Sequence, residues 1–214
     1  DAIVNRAVKG IGQDVVRLAW GGDSSTTNYT AFDGWMKLMA ADSTVLAART
    51  EFAGTESAPT AADAIGLLRT MYDTAPANLQ QVPASDKKMF VTPKIFNAYL
   101  ANLEGSSADL AIVNTVEGYT RVSFRGVQVV PMYEWDTILA DTNPTIFEKG
   151  GSNFTNGACY CAVENLILGS DVTDPEGSFK VFYDDLEEKM FFRGYFKLGV
   201  QFLYSSLVQW GIIE

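Results

Sequence analysis

The residues of this chain best equipped for chemistry are carboxylates. Asp184, Asp185, Glu187 and Glu188 crowd into five positions. Paired carboxylates of this kind can serve as general acid and base on a glycosidic bond. Their place between two β-type runs predicts a hairpin turn, where a solvated charge cluster is the competing reading. Asp171, Asp174 and Glu176 offer oxygen ligands for calcium, but the loop lacks the twelve-residue pattern with its closing glutamate. The run Trp20-Gly21-Gly22-Asp23-Ser24-Ser25 could cradle a phosphate, yet no G-x-x-x-x-G-K-[ST] string occurs anywhere. A turn between a strand and a helix is its plainer reading. Histidine is absent altogether. That excludes a Ser-His-Asp triad, a Cys-His pair and histidine-ligated zinc or non-haem iron. A carboxylate-dependent glycoside hydrolase is therefore the one enzymatic alternative, and no catalytic, cofactor-binding or metal-binding residue is assigned.

Cys159 and Cys161 flank Tyr160 in a run that reads as a strand. Residues two apart on a strand share a face, a geometry that suits neither an unstrained disulfide nor a complete metal site. Buried free thiols are the expectation, and with them a reducing compartment.

The 214 residues allow one or two domains with a sizeable core. Hydrophobic residues at 47% and charged residues at 20% are those of a folded domain rather than a disordered chain. The net charge of −10 is lopsided: residues 1–100 are near neutral, whereas residues 101–214 hold 16 acids against 7 bases. An acidic surface repels phosphate backbones and anionic headgroups, and the scattered bases form no stripe. No run approaches the roughly 18 to 20 apolar residues that cross a bilayer. The first residues lack a basic segment followed by an apolar one, so no signal peptide is read there, and a processed product or fragment is the expectation.

The elements that must position these residues are mixed. Phe32, Trp35, Met36 and Met39 form a helical stripe over about 31–40. A second helix is expected from Pro59 or Thr60 to before Pro76, with Ile65, Leu68, Met71 and Tyr72 inward. Lys88-Met89-Phe90-Val91 reads as a buried strand. Thr92 as N-cap and Pro93 at the first position then open a helix whose stripe is Ile95, Phe96, Tyr99, Leu100 and Leu103, closed by Gly105. Strand signals dominate afterwards: 119–124, a turn at Arg125-Gly126, 127–130, and 166–168. Pro131 restricts the end of its strand to an edge or bulge.

The C-terminal stretch predicts a strand over 179–184 and a turn over 185–189. Met190, Phe192, Phe196, Leu198, Val200, Phe202 and Tyr204 then fall on one parity. At ~3.3 Å per residue such a strand would reach about 50 Å, against a usual ~17 to 20 Å. It predicts either a long β-ribbon or a strand bent at Gly194 and Gly199.

Three segments, taken in order, carry a family resemblance: KMFVTPKIFNAYL (88–100), RGVQVVPM (125–132) and NLILGSD (165–171), followed by the hairpin of 179–204. Their order and spacing, over about 15–213, resemble the major capsid proteins of tailed bacteriophages, with the Hong Kong 97-type fold. The resemblance implies an α+β fold: an axial-type domain over 31–168, with a mixed central sheet flanked by helices. Residues 1–30 and 169–214 would supply peripheral-domain strands, among them 11–21 and 179–213, and a β-hairpin. The family's N-terminal arm, extended loop and spine helix have no counterpart read here.

The implied function is structural: a phage or prophage capsid subunit that self-assembles into pentamers and hexamers of an icosahedral, DNA-containing head. An encapsulin-type nanocompartment shell is the alternative on the same fold. Implied partners are copies of the chain, packaged double-stranded DNA by weak non-specific contact, and scaffold, portal or decoration proteins. No cofactor and no membrane are implied, and the location is the virion, with host cytoplasm during assembly. An acidic inner face would leave packaged DNA mobile. Capsomers close through head-to-tail contacts anchored by aromatic side chains. Subunit-contact candidates are Tyr133, Trp135 and Asp136, read as a loop, with Phe191, Tyr195 and Trp210. Ordinary core packing is the alternative for each aromatic.

Overall fold

The computed structural model describes residues 2–25, 30–50, 59–105, 112–116, 119–141, 148–149, 152–153, 156–171, 179–184, 189–194 and 197–213. A seven-stranded mixed sheet organises them. Its strands are β1 (Leu46–Thr50), β2 (Lys87–Val91), β3 (Ile112–Val116), β4 (Tyr119–Phe124), β5 (Val127–Pro131), β8 (Gly157–Ala162) and β13 (Val208–Ile213), in the order β1-β13-β8-β2-β5-β4-β3. The β1–β13 and β2–β5 pairs are parallel, and the rest are antiparallel. Three two-stranded ribbons complete the set: β6 (Glu148–Lys149) with β7 (Ser152–Asn153), β9 (Leu166–Ser170) with β12 (Leu198–Phe202), and β10 (Phe179–Asp184) with β11 (Lys189–Gly194).

Strand alternation gives the sheet two apolar faces. On β8, Ala158, Tyr160 and Ala162 join the layer of α3 (Ala61–Asp73), α4 (Ala77–Gln81) and α5 (Pro93–Gly105), where Leu67, Leu68, Met71, Leu79, Ile95 and Phe96 are buried. Cys159 and Cys161 face the opposite layer with Val208, Trp210 and Ile212. That layer is built by α1 (Ala2–Gly21), α2 (Trp35–Ala41) and α6 (Glu134–Asp141). Because both faces are covered, β8 and β13 are buried along their whole length and are apolar except for Gln209, whose Nε2 donates to Thr74 Oγ1.

Local chemistry explains the boundaries. Thr60 and Asp63 form a reciprocal capping box that starts α3. Arg125 (φ 48°) and Gly126 (φ 84°) both take positive φ, the conformation a two-residue hairpin between β4 and β5 requires. Pro131 ends β5 beyond the last β4 partner pair, Val122 with Val129, so its missing N–H leaves no ladder bond unmade. The helix expected over 31–40 begins later, at Trp35, because residues 30–34 form a turn. Thr92 stands where a cap was expected, but its buried Oγ1 makes no hydrogen bond. Its main chain joins Gly157 and Phe96 instead.

Three expectations are corrected. The strand read in 11–21 is the second half of a 20-residue helix, α1. The single long C-terminal strand is two: β11 ends at Gly194, and β12 pairs with β9 rather than continuing the β10 hairpin. The last strand, expected at the periphery, sits in the central sheet between β1 and β8. The acidic turn of 185–188, with Asp185, Glu187 and Glu188, and the residues Asp174 and Glu176 lie outside the described residues. No described helix is long and apolar enough to cross a membrane. Among the described residues no group of three or more His, Cys, Asp or Glu is placed to hold a metal.

Candidate assembly surface

Two features of the surface are built for contact. The first is an apolar groove of about 310 Å³ between α1 and β9. Val15, Val16 and Ala19 of α1 form one wall, Leu166 and Leu168 of β9 the other, and Trp20, Trp35 and Phe90 form the floor. None of its lining residues is charged. The floor is rigid, because Trp20 meets Trp35, Trp135 and Phe90 edge-on with centroids 5.0, 5.0 and 5.3 Å away.

The second feature is a ridge where β12 ends. Phe202 is 8% exposed, but Leu203 and Tyr204 are 55% and 62% exposed. Buried Asn165 holds the turn: its carbonyl oxygen accepts from Leu203 N–H (3.1 Å), its Oδ1 accepts from Tyr204 N–H (2.8 Å), and its Nδ2 donates to Tyr204 O (3.0 Å). Ser205 Oγ donates to Asp42 Oδ2 (2.5 Å), and Asn78 Nδ2 donates to Ser206 Oγ (3.0 Å). The main chain is thus fixed from three directions while two large apolar side chains face solvent. Hollows lie on both sides of the ridge: Asp86 and Glu164 line one, and Leu46 and Pro76 line the other.

Of the expected contact residues, Tyr133 is 69% exposed at the start of α6, and Asp136 is exposed one residue past Trp135. Desolvation raises the Asp136 pKa, and the charge of Lys94 opposes the rise. Tyr133, Trp135 and Asp136 belong to a turn and helix rather than a loop. Trp135 (0% exposed) and Trp210 (9%) are corrected from exposed anchors to core residues. Phe191 lies on β11 in register with Phe182, and Tyr195 lies outside the described residues. Leu203 and Tyr204 were missed because parity put Tyr204 with Phe202. The signal was available in Leu203-Tyr204-Ser205-Ser206, where alternation stops at two small polar residues.

The Trp-Gly-Gly-Asp-Ser-Ser run is a structural junction. Asp23 and Asp33 both accept from Lys37 Nζ (2.6 and 2.8 Å), and the hydroxyls of Ser25 and Ser24 donate to the same two carboxylates. Lys37, then the Ser24 main chain and hydroxyl, hold the Asp33 carboxyl down at about 2, from the usual 3.8. A depressed carboxylate stabilises the fold above pH 3.8 and loses that contribution as pH falls toward 2. The melting temperature should therefore drop from pH 4 to pH 2, and less steeply in Asp33→Asn. Equal slopes would remove the junction from the acid response.

Cys159 and Cys161 are free and buried, as expected. The hydrogen bond with Cys161, then burial, pushes the Cys159 thiol well up. Since both sulfurs are buried out of reach of a reagent, neither should react with Ellman's reagent at pH 8 until denaturant is added. Immediate titration of two thiols in the native protein would contradict this.

No family model and no curated protein matches the sequence. Among solved structures, the chain is similar to a chain of the satellite phage P4 procapsid, in a structure that includes the size determination protein. The TM-score is 0.58 at 11% identity, covering 99% of this chain and 62% of that one. A holo-encapsulin complex from Synechococcus elongatus PCC 7942 aligns at TM-score 0.48 and 10% identity, over 97% of this chain and 63% of that one. The chain thus spans about three-fifths of each neighbour's length. The α+β fold with its mixed central sheet is the capsid-type fold, Hong Kong 97-like, of the procapsid chain.

Proposed function

We propose that this chain is a shell-forming structural protein, a phage or prophage major capsid subunit and not an enzyme. The observation that carries the reading is the correspondence with the procapsid chain along 99% of the sequence. The preorganised ridge and the apolar groove support it, since a self-assembling subunit needs rigid exposed anchors and matching depressions. In this reading the seven-stranded sheet with its helices is the axial-type body, and the β9–β12 and β10–β11 ribbons are the peripheral part. The partners are copies of the chain, and the assembled location is the virion.

Sedimentation of the full-length gene product tests it. Expression should yield closed multi-subunit particles far heavier than the 23.4 kDa chain, and in infected or induced cells those particles should protect DNA from nuclease. A product that stays at subunit mass overturns the reading. Particles that protect a protein cargo and no DNA overturn the phage assignment in favour of a nanocompartment.

A further inference from the structure

We propose that the hollow between Thr44, Pro76 and Tyr204 is a saccharide-binding site that takes one neutral hexopyranose ring. This goes beyond the shell reading and does not depend on it. The hollow lies on the Leu46–Pro76 side of the ridge and measures about 530 Å³, within the roughly 300–1,000 Å³ of ligand pockets. Its lining divides by chemistry. Leu46, Pro76 and Leu203 are apolar, Tyr204 adds an exposed aromatic ring, and Thr44, Ser205 and Ser206 bring hydroxyls.

The hydroxyls are set in advance. Thr44 Oγ1 donates to Asp42 Oδ1 (2.6 Å) and Ser205 Oγ to Asp42 Oδ2 (2.5 Å), so both spend their hydrogens on one carboxylate and keep lone pairs for a ligand. Bonding to an ionised acceptor polarises both hydroxyls and strengthens those lone pairs. Ser205, then Thr44, hold the Asp42 carboxyl below its usual 3.8, so it is ionised at neutral pH. Ser206 is set the opposite way: its Oγ accepts from Asn78 Nδ2 (3.0 Å), which leaves its own O–H to donate. The hollow thus offers two acceptors and one donor beside an aromatic ring, on a main chain that Asn165 holds fixed. A hexopyranose matches this set, because its hydroxyls donate and accept while its C–H face is apolar and can lie on an aromatic ring. Phosphates and carboxylates do not match, since Asp42 and the net charge of −10 repel them. A purely apolar ligand would leave the three hydroxyls without partners.

Saturation-transfer NMR on the 214-residue chain tests the site. The probes are methyl α-D-glucopyranoside, methyl α-D-mannopyranoside and methyl β-D-galactopyranoside, with the open-chain polyol sorbitol as control. At least one glycoside should bind with a Kd of about 1 mM, the scale for a ligand of roughly a dozen non-hydrogen atoms, and sorbitol should not. Tyr204→Ala should weaken that binding at least about tenfold, whereas Tyr204→Phe keeps the ring and should keep the affinity. Ser206→Ala removes the donor and should weaken binding about fivefold. Neither Tyr204 nor Ser206 is buried, so each variant should melt near the parent temperature, which separates a lost contact from a lost fold. Dextran, mannan or galactan, matched to the hexose that binds, distinguishes the two sources of such a ring. Binding of the polymer assigns a glycan, and binding of the glycoside alone assigns a free sugar. Silence from all three glycosides, an equal response to sorbitol, or full binding in either alanine variant overturns the site. None of these results bears on particle formation, which sedimentation reads, so the two readings fail separately.

Discussion

Trp20→Ala is expected to cost about 4 kcal/mol of folding stability, in the range for emptying a large aromatic from a packed core. Trp20 closes α1, and its ring is the hub through which α1, α2, α6 and β2 meet: Trp35, Trp135 and Phe90 all approach it edge-on. Truncation leaves a void that the three partner rings, fixed on three other elements, cannot all fill. Because Trp20 also floors the groove, the same change should weaken self-association under conditions where the fold survives. Urea unfolding followed by circular dichroism checks the first effect. A loss below 1 kcal/mol would mean the hub is not central to the fold.

Gly34→Ala is expected to destabilise by about 3 kcal/mol, more than a lone methyl would suggest. A Cβ at Gly34 would lie 2.6 Å from Gly22 N and 2.7 Å from Trp20 O, and main-chain atoms cannot swing aside as a side-chain tip can. The pair is locked reciprocally, since a Cβ at Gly22 would meet Phe32 O at 2.3 Å and Leu18 O at 2.6 Å. Gly34 N–H donates to Gly22 O at 2.7 Å, so the end of α1 and the start of α2 touch backbone to backbone. Gly12→Ala is the control: nothing lies within 4 Å of its Cβ position, and a helix-interior glycine there should gain stability on substitution. Equal urea midpoints for Gly34→Ala and the parent would contradict the close approach.

The elements readable from sequence are those whose signals are local. Thr60 with Asp63, Pro93 at a first helical turn, and Arg125-Gly126 between alternating runs each act within four residues, and the structure has α3, α5 and the β4–β5 hairpin there. Helix α1 was hidden by Val15-Val16 and by Gly10 and Gly12, which lower helix propensity, although Val8, Ile11, Val15 and Leu18 recur at helical spacing. Packing against α6, with Arg17 Nε donating to Glu134 Oε2 at 2.6 Å, overrides that propensity. The long strand was misread because parity says nothing about partners: residues 198–202 keep the phase of 190–194 but pair with β9.

The contact surface was the least legible part. Trp135 and Trp210 drew attention as aromatic anchors, and both serve the core. What exposes Leu203 and Tyr204 is Asn165, nearly 40 residues away in sequence, whose carboxamide and main chain capture the turn. A side-chain clamp at that separation leaves no periodic trace.

Electron microscopy of the full-length gene product tests the central claim most directly. The account predicts closed isometric shells whose repeating density accepts this seven-stranded sheet and its flanking helices once per subunit. Fields of dispersed, subunit-sized protein at every concentration and salt tried would contradict it.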